Sequence, residues 1–139
     1  MNMNFLSPST LRRTAVLAAA VALAGCATLG GTPEQIVAQR AGEYWKARQS
    51  GDYAKAYKLS TPSYRKLRTQ EQFRLQFGAG VNVTSAEVAK VTCETQKCTA
   101  KMKIGAKPVL PGLKLDTIPM YMDEVWLLED GQWWHFQEP

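Results

Sequence analysis

Residues 124–137 read Glu-Val-Trp-Leu-Leu-Glu-Asp-Gly-Gln-Trp-Trp-His-Phe-Gln. Asp130-Gly131 sits between two apolar runs. A two-residue hairpin turn needs positive φ at both central positions, which Asp tolerates and Gly prefers, so this pair predicts a tight β-hairpin. Counting outward sets the register. Leu127 faces Trp134 and Val125 faces Phe136 on one side of the ribbon. Leu128 faces Trp133 and Trp126 faces His135 on the other, beside Glu124 and Gln137. The first set is wholly apolar and is expected to face the core. The second mixes aromatic and polar groups and is expected on the outer side.

Upstream, a strand is expected from about Thr117 to Leu128. Pro108, Pro111 and Gly112 make 108–116 a loop. Before it, Cys98, Ala100, Met102 and Ile104 alternate with Thr99, Lys101, Lys103 and Gly105, which is the period of a half-buried strand. Its hairpin partner spans about Val83–Thr92. Cys93 and Cys98 flank a four-residue polar stretch, Glu94–Lys97, which fits a hairpin loop. Opposed residues on paired strands have Cβ atoms about 4.5–5.5 Å apart, close to what a disulfide needs. A metal or redox role fits less well. Two cysteines and one distant histidine cannot complete a structural zinc site, and the spacing differs from C-x-x-C. No metal or cofactor is implied.

The first half of the mature chain is helical. Thr32-Pro33-Glu34-Gln35 combines a cap, an N-terminal proline and a capping-box glutamine. Ile36, Val37, Ala41, Tyr44, Trp45 and Arg48 then recur at helical spacing, and Gly51 suits a helix end. Asp52 caps a second helix with Tyr53, Ala56, Tyr57 and Leu59. Thr61-Pro62 opens a short piece bearing Tyr64 and Leu67. Thr69–Gln72 is a further capping box, leading to Phe73 and Phe77. Helices first and an antiparallel sheet after make an α+β domain.

Residues 1–25 carry the marks of a targeting segment. Arg12 and Arg13 precede the uncharged run Thr14–Ala24, which is too short to span a bilayer and has the length of a secretory h-region. Leu23-Ala24-Gly25-Cys26 resembles the lipobox of bacterial lipoproteins. That resemblance implies cleavage before Cys26 and lipidation of its thiol. Ala27 rather than Asp implies an outer-membrane destination, with 26–31 as the lipidated cysteine and a short tether. The oxidising envelope suits a Cys93–Cys98 disulfide.

The chain has 139 residues, enough for one domain, here 32–139. Its formal charge is +5. Without Arg12 and Arg13, 15 basic residues oppose 12 acidic ones, leaving +3, too little and too scattered for a nucleic-acid partner.

The helix ending near Gly51-Asp52-Tyr53, the Thr61-Pro62-Ser63-Tyr64-Arg65 segment and the closing Val125-Trp126-Leu127…Asp130-Gly131-Gln132-Trp133-Trp134 resemble the nuclear transport factor 2-like (cystatin-like α+β) superfamily. They also resemble uncharacterised proteobacterial envelope lipoproteins. The resemblance implies N-terminal helices closing a cone over a curved antiparallel sheet. The first strand that such domains carry between their second and third helices is not evident here. The superfamily holds isomerases, dehydratases, carriers and binding modules, so the fold selects no activity.

Candidate surfaces follow from these readings. Tyr44, Trp45, Tyr57, Tyr64 and Tyr121 are pocket candidates, although aromatics at helical spacing serve cores first. Asp123 shares the face of Val125 and is a candidate carboxylate at the mouth of the cone. His135, the only histidine, is expected at the surface or core edge, and no catalytic set is recognised. Trp126, Leu128, Trp133 and His135 form a candidate interface for a homodimer or an envelope partner. Lys90, Lys101 and Lys103, with Val88 beside them, form a basic face that guards a sheet edge or meets an anionic envelope polymer or lipid. The leading expectation is a non-enzymatic, membrane-anchored periplasmic binding or assembly module. The alternatives are a small-molecule carrier or enzyme using the cone, and a structural protein touching peptidoglycan or lipopolysaccharide.

Overall fold

Four polar side chains start four helices. Thr32 caps α1 (Pro33–Gln49), Asp52 caps α2 (Tyr53–Lys58), Thr61 caps α3 (Pro62–Leu67) and Thr69 caps α4 (Gln70–Leu75), each accepting a backbone N–H of the first turn. Thr32 with Gln35 and Thr69 with Gln72 complete reciprocal capping boxes. Gly51, at φ +75°, lets the chain leave α1, where the Asp52 N–H donates to the Ala47 carbonyl at 2.8 Å. This computed structural model describes residues 30–77 and 81–139. The expected signal segment 1–25, Cys26 and the first tether residues lie outside them. Among the described residues, no helix is long and apolar enough to cross a membrane.

The chain then forms β1 (Val81–Cys93), β2 (Lys97–Pro108), β3 (Ile118–Glu129) and β4 (Gln132–His135). They make one antiparallel sheet in the order β1-β2-β3-β4, strongly curled into a half-barrel. The α+β class is therefore as expected. Asp130 at φ 50° and Gly131 at φ 74° form the tight turn, and Trp126–His135, Leu127–Trp134 and Leu128–Trp133 are paired as counted from it. Cys93 pairs with Cys98 across the β1–β2 turn, and the two are joined by a disulfide with their Cα atoms 4.0 Å apart.

The apolar face of α1 lies in the hollow of the half-barrel. Val37, Ala41, Tyr44 and Trp45 are buried there against Cys98, Ala100, Met102 and Ile104 of β2. The short helices add a second aromatic group, with Phe73 packed against Tyr57, Tyr64 and Phe77. Between α2 and α3, Ser60 makes a single parallel bridge with His135. The Thr61 N–H donates to the His135 carbonyl, and the His135 N–H to that of Leu59, at 3.0 and 2.8 Å. One bridge thus occupies the place between second and third helices where no strand was legible.

Two expectations about facing are reversed. Trp126, Trp133 and His135 point into the hollow with Glu124, while Val125, Leu127, Trp134 and Phe136 lie on the outer side. The larger aromatic set fills the hollow under α1. The outer Trp134 is covered by the guanidinium groups of Arg40 and Arg65, whose carbons lie 4.7 and 5.1 Å from its ring. Val88 is also not beside the lysines. A register shift between Val88 and Lys90 pairs Val88 with buried Met102 and turns Lys90 outward opposite Lys101.

Candidate functional site

Glu124 is a carboxylate on the inner face of β3, 5% exposed. The Trp45 indole Nε1 of α1 donates to its Oε1 at 2.7 Å. The helical spacing that puts Trp45 on the buried face of α1 thus supplies a charge-assisted donor. His135, across from Trp126, brings its Nε2 to 3.7 Å from the same oxygen. Tyr44, one residue before Trp45, stacks on the imidazole with centroids 4.2 Å apart. Arg48, one turn further along α1, lies over Phe77 at 3.8 Å and Trp45 at 4.4 Å.

Burial sets the protonation of this cluster. It pushes the Glu124 carboxyl from 4.5 up to about 7, against the opposing pull of the Trp45 hydrogen bond, the Arg48 charge and the nearby Trp126 N–H. It pulls His135 down from 6.5 to about 3, with the Arg48 charge acting the same way. It raises the Tyr44 hydroxyl out of reach of ordinary pH. The histidine is therefore neutral wherever Glu124 is charged, and their 3.7 Å approach is not an ion pair. Its Nε2 faces the carboxylate, which assigns the proton to that nitrogen and leaves Nδ1 as an acceptor.

The cluster is incomplete as it stands. Glu124 Oε2, His135 Nδ1, Trp126 Nε1 and Arg48 Nε are buried without a hydrogen-bond partner among the described residues. Trp126 Nε1 favours the carboxylate from outside hydrogen-bond geometry. Such atoms are costly to leave unpaired. Glu124, His135 and Arg48 line a cleft of about 390 Å³ whose walls also include Tyr44, Phe77 and Met122, while Trp126, wholly buried, is not part of its walls. Beyond Val125, β3 has no partner on this side, because β4 ends at His135, and the cleft opens there. The arrangement can take up or release a proton near neutrality, donate from Arg48, and pack an apolar group against Met122 and Phe77. Among the described residues, no group of three or more His, Cys, Asp or Glu is placed to hold a metal.

The sequence candidates divide. Tyr44 and Trp45 join this site. Tyr57 and Tyr64 belong to the helical layer instead, where the Tyr57 hydroxyl donates to the Arg68 carbonyl at 2.7 Å and that of Tyr64 accepts from Gln76 at 2.9 Å. Tyr121, 64% exposed, lies on the outer side of β3. Asp123 is also exposed and outward, reaching only the rim of the cleft, because the inward positions of β3 are the even ones. The proposed interface of Trp126, Leu128, Trp133 and His135 is core, with Trp126 wholly buried and Leu128 partly so. Glu124 escaped notice as a site residue, and so did Arg48. The available signal was a lone carboxylate on an aromatic strand face, facing an indole that needs an acceptor. No protein-family model matches the chain, and no curated protein matches it in sequence.

Proposed function

We propose that the protein is a lipid-anchored envelope protein whose α+β domain binds a small amphiphilic molecule in the cleft beside Glu124 and His135. The observation that carries this reading is the set of unpaired buried polar atoms facing an open, partly apolar cleft. Three residues with such atoms, Glu124, His135 and Arg48, line one cleft, and a polar head would complete them. That head donates to Glu124 Oε2 and His135 Nδ1 and accepts from Arg48, while an apolar tail lies along Met122 and Phe77. The lipobox-like Leu23-Ala24-Gly25-Cys26 supports the anchor, and Ala27 supports the outer membrane, with the domain facing the periplasm. The order of helices and curled sheet supports the nuclear transport factor 2-like assignment, within which carriers and binding modules are common.

Two measurements test this. Protein isolated under native conditions from the envelope should release a bound small molecule detectable by mass spectrometry, and adding that molecule back should raise the melting temperature. Met122→Asp, at a position 40% exposed, should abolish retention without unfolding the protein. If nothing is retained and no amphiphile raises the melting temperature, the binding reading is wrong. Labelled palmitate should enter the wild-type chain and not Cys26→Ser.

A second reading, proton-transfer catalysis, is favoured by Glu124. A carboxyl with a pKa of about 7 is matched to a general base acting near neutrality. Turnover of the retained molecule, lost in Glu124→Gln while binding persists, distinguishes it from a carrier.

A further inference from the structure

The convex side of the half-barrel carries a second feature. β2 is a central strand, bonded to β1 on one side and β3 on the other. Its outward positions present Lys97, Lys101, Lys103 and Lys107, all exposed. Lysines on an edge strand deter edge-to-edge pairing, but a central strand has no edge to guard. Lys90 of β1 stands directly opposite Lys101. Like charges facing each other across a ladder destabilise a sheet. None of these lysines forms an ion pair among the described residues. Glu87 stands opposite Lys103 and Asp123 opposite Lys101, so the excess positive charge of this face lies at Lys90, Lys97 and Lys107.

Two further observations give that row a partner. Lys90 and Lys101 border a depression of about 300 Å³ that also includes Thr92 and Thr99, with the Asp123 carboxylate at its side. Two ammonium groups and two hydroxyls suit a phosphodiester. At the end of the row, β2 runs into a turn closed by the Leu113 N–H donating to the Leu110 carbonyl at 3.2 Å. Val109, Leu110 and Leu113 are 51–61% exposed there, between Lys107 and Lys114. An apolar turn framed by lysines has the layering of a bilayer interface, with acyl chains below and phosphates beside.

We infer that the convex face docks on an anionic phospholipid bilayer, with a headgroup phosphate between Lys90 and Lys101 and the Val109–Leu113 turn sunk into the acyl boundary. Asp123 borders both the depression and the cleft, so the mouth of the cleft opens beside the docked face. The inference needs neither the cleft ligand nor the Cys26 anchor.

The test uses the full chain with Cys26→Ser and Leu113→Cys, carrying an environment-sensitive dye on the new thiol while Cys93 and Cys98 stay paired. The dye reads the turn itself, whatever the leader does in the same bilayer. Vesicles of phosphatidylcholine with phosphatidylglycerol should shift its emission to the blue, and phosphatidylcholine alone should not. A dye at Lys58→Cys on α2 should stay unchanged. Lys90→Gln with Lys101→Gln should weaken the response about thirtyfold, since each lysine near an anionic surface contributes roughly a factor of five. An unshifted dye at 113, an equal shift on both vesicles, an unchanged response in the double glutamine variant, or a shift given by peptidoglycan fragments or lipopolysaccharide but not by the vesicles would each overturn the inference.

Discussion

The two ends of β3 are built from the same alternation and fare differently. Toward the Asp130-Gly131 turn, its inward side chains are Glu124, Trp126 and Leu128, roofed by α1 and flanked by β4 and the Cys93–Cys98 hairpin. Toward its start, the inward positions are Met122, Met120 and Ile118, paired with buried Met102, Ile104 and Ala106 yet 40–56% exposed themselves. One end is stapled, aromatic and covered. The other has a free backbone edge and uncovered methionines. The difference lies in what reaches over the strand: β4 pairs only with residues 126–129, so nothing regular covers the rest. Folding free energy is concentrated at the closed end.

Paired substitutions break or sharpen this contrast. Trp126→Ala should cost about 3–5 kcal/mol, as expected for a large aromatic removed from a packed core. Met120→Ala should cost less than about 0.5 kcal/mol, as at ordinary surface sites. Denaturant midpoints for the two variants check the pair, and similar losses would mean that the open end is covered in solution. Cys93→Ser with Cys98→Ser comes next, at about 2 kcal/mol for so small a loop. Hydrogen exchange should rise in the β1–β2 hairpin and stay unchanged around Met120.

A smaller effect, about 1–2 kcal/mol, is expected for Trp45→Phe, which removes the donor to Glu124 while keeping most of the ring. The carboxyl should then titrate above its present value of about 7, because a group that favours its charged form is gone. Carboxyl NMR shifts would follow it. Glu124 and His135 also shape stability against pH, with opposite signs. Between about 4.5 and 7 the folded Glu124 holds a proton that the unfolded chain has released, so stability falls as pH rises. Between about 6.5 and 3 the unfolded His135 takes a proton that the folded one refuses, so stability falls as pH drops. Where the ranges overlap the slopes oppose, which places the optimum at mildly acidic pH. Glu124→Gln should remove the falling limb and leave that of His135, so that a midpoint nearly equal at about pH 5 and about pH 8 in the wild type becomes clearly higher at about pH 8.

Much of the fold was legible because its signals are local. Caps at Thr32, Asp52, Thr61 and Thr69 mark helix starts by their own hydrogen bonds, and Asp130-Gly131 fixes a register without help from elsewhere. Which face of that ribbon turns inward is not a local property. Val125, Leu127, Trp134 and Phe136 are as apolar as any core set, and the choice was made by α1. Pairing Cys98 with Trp126 would have revealed it, but the loop 109–117 between β2 and β3 has no short turn to set that register. Lys90 was placed correctly and Val88 was not, because a bulge leaves no mark in an alternating sequence. Glu124 was lost with the facing. A carboxylate on the outside of a sheet is ordinary, and only burial makes it a candidate site.

The junction of Leu59–Thr61 with His135 bears on how the protein is made. The Ser60–Gln137 contact and the Trp45–Glu124 bond span 77 and 79 positions of chain. A ribosome delivers α1 long before β3 and β4, so Tyr44 and Trp45 must wait in water for the strands that cover them. A polypeptide that cannot close early stays threadable. Under the proposed envelope location, late closure suits passage through a narrow translocon.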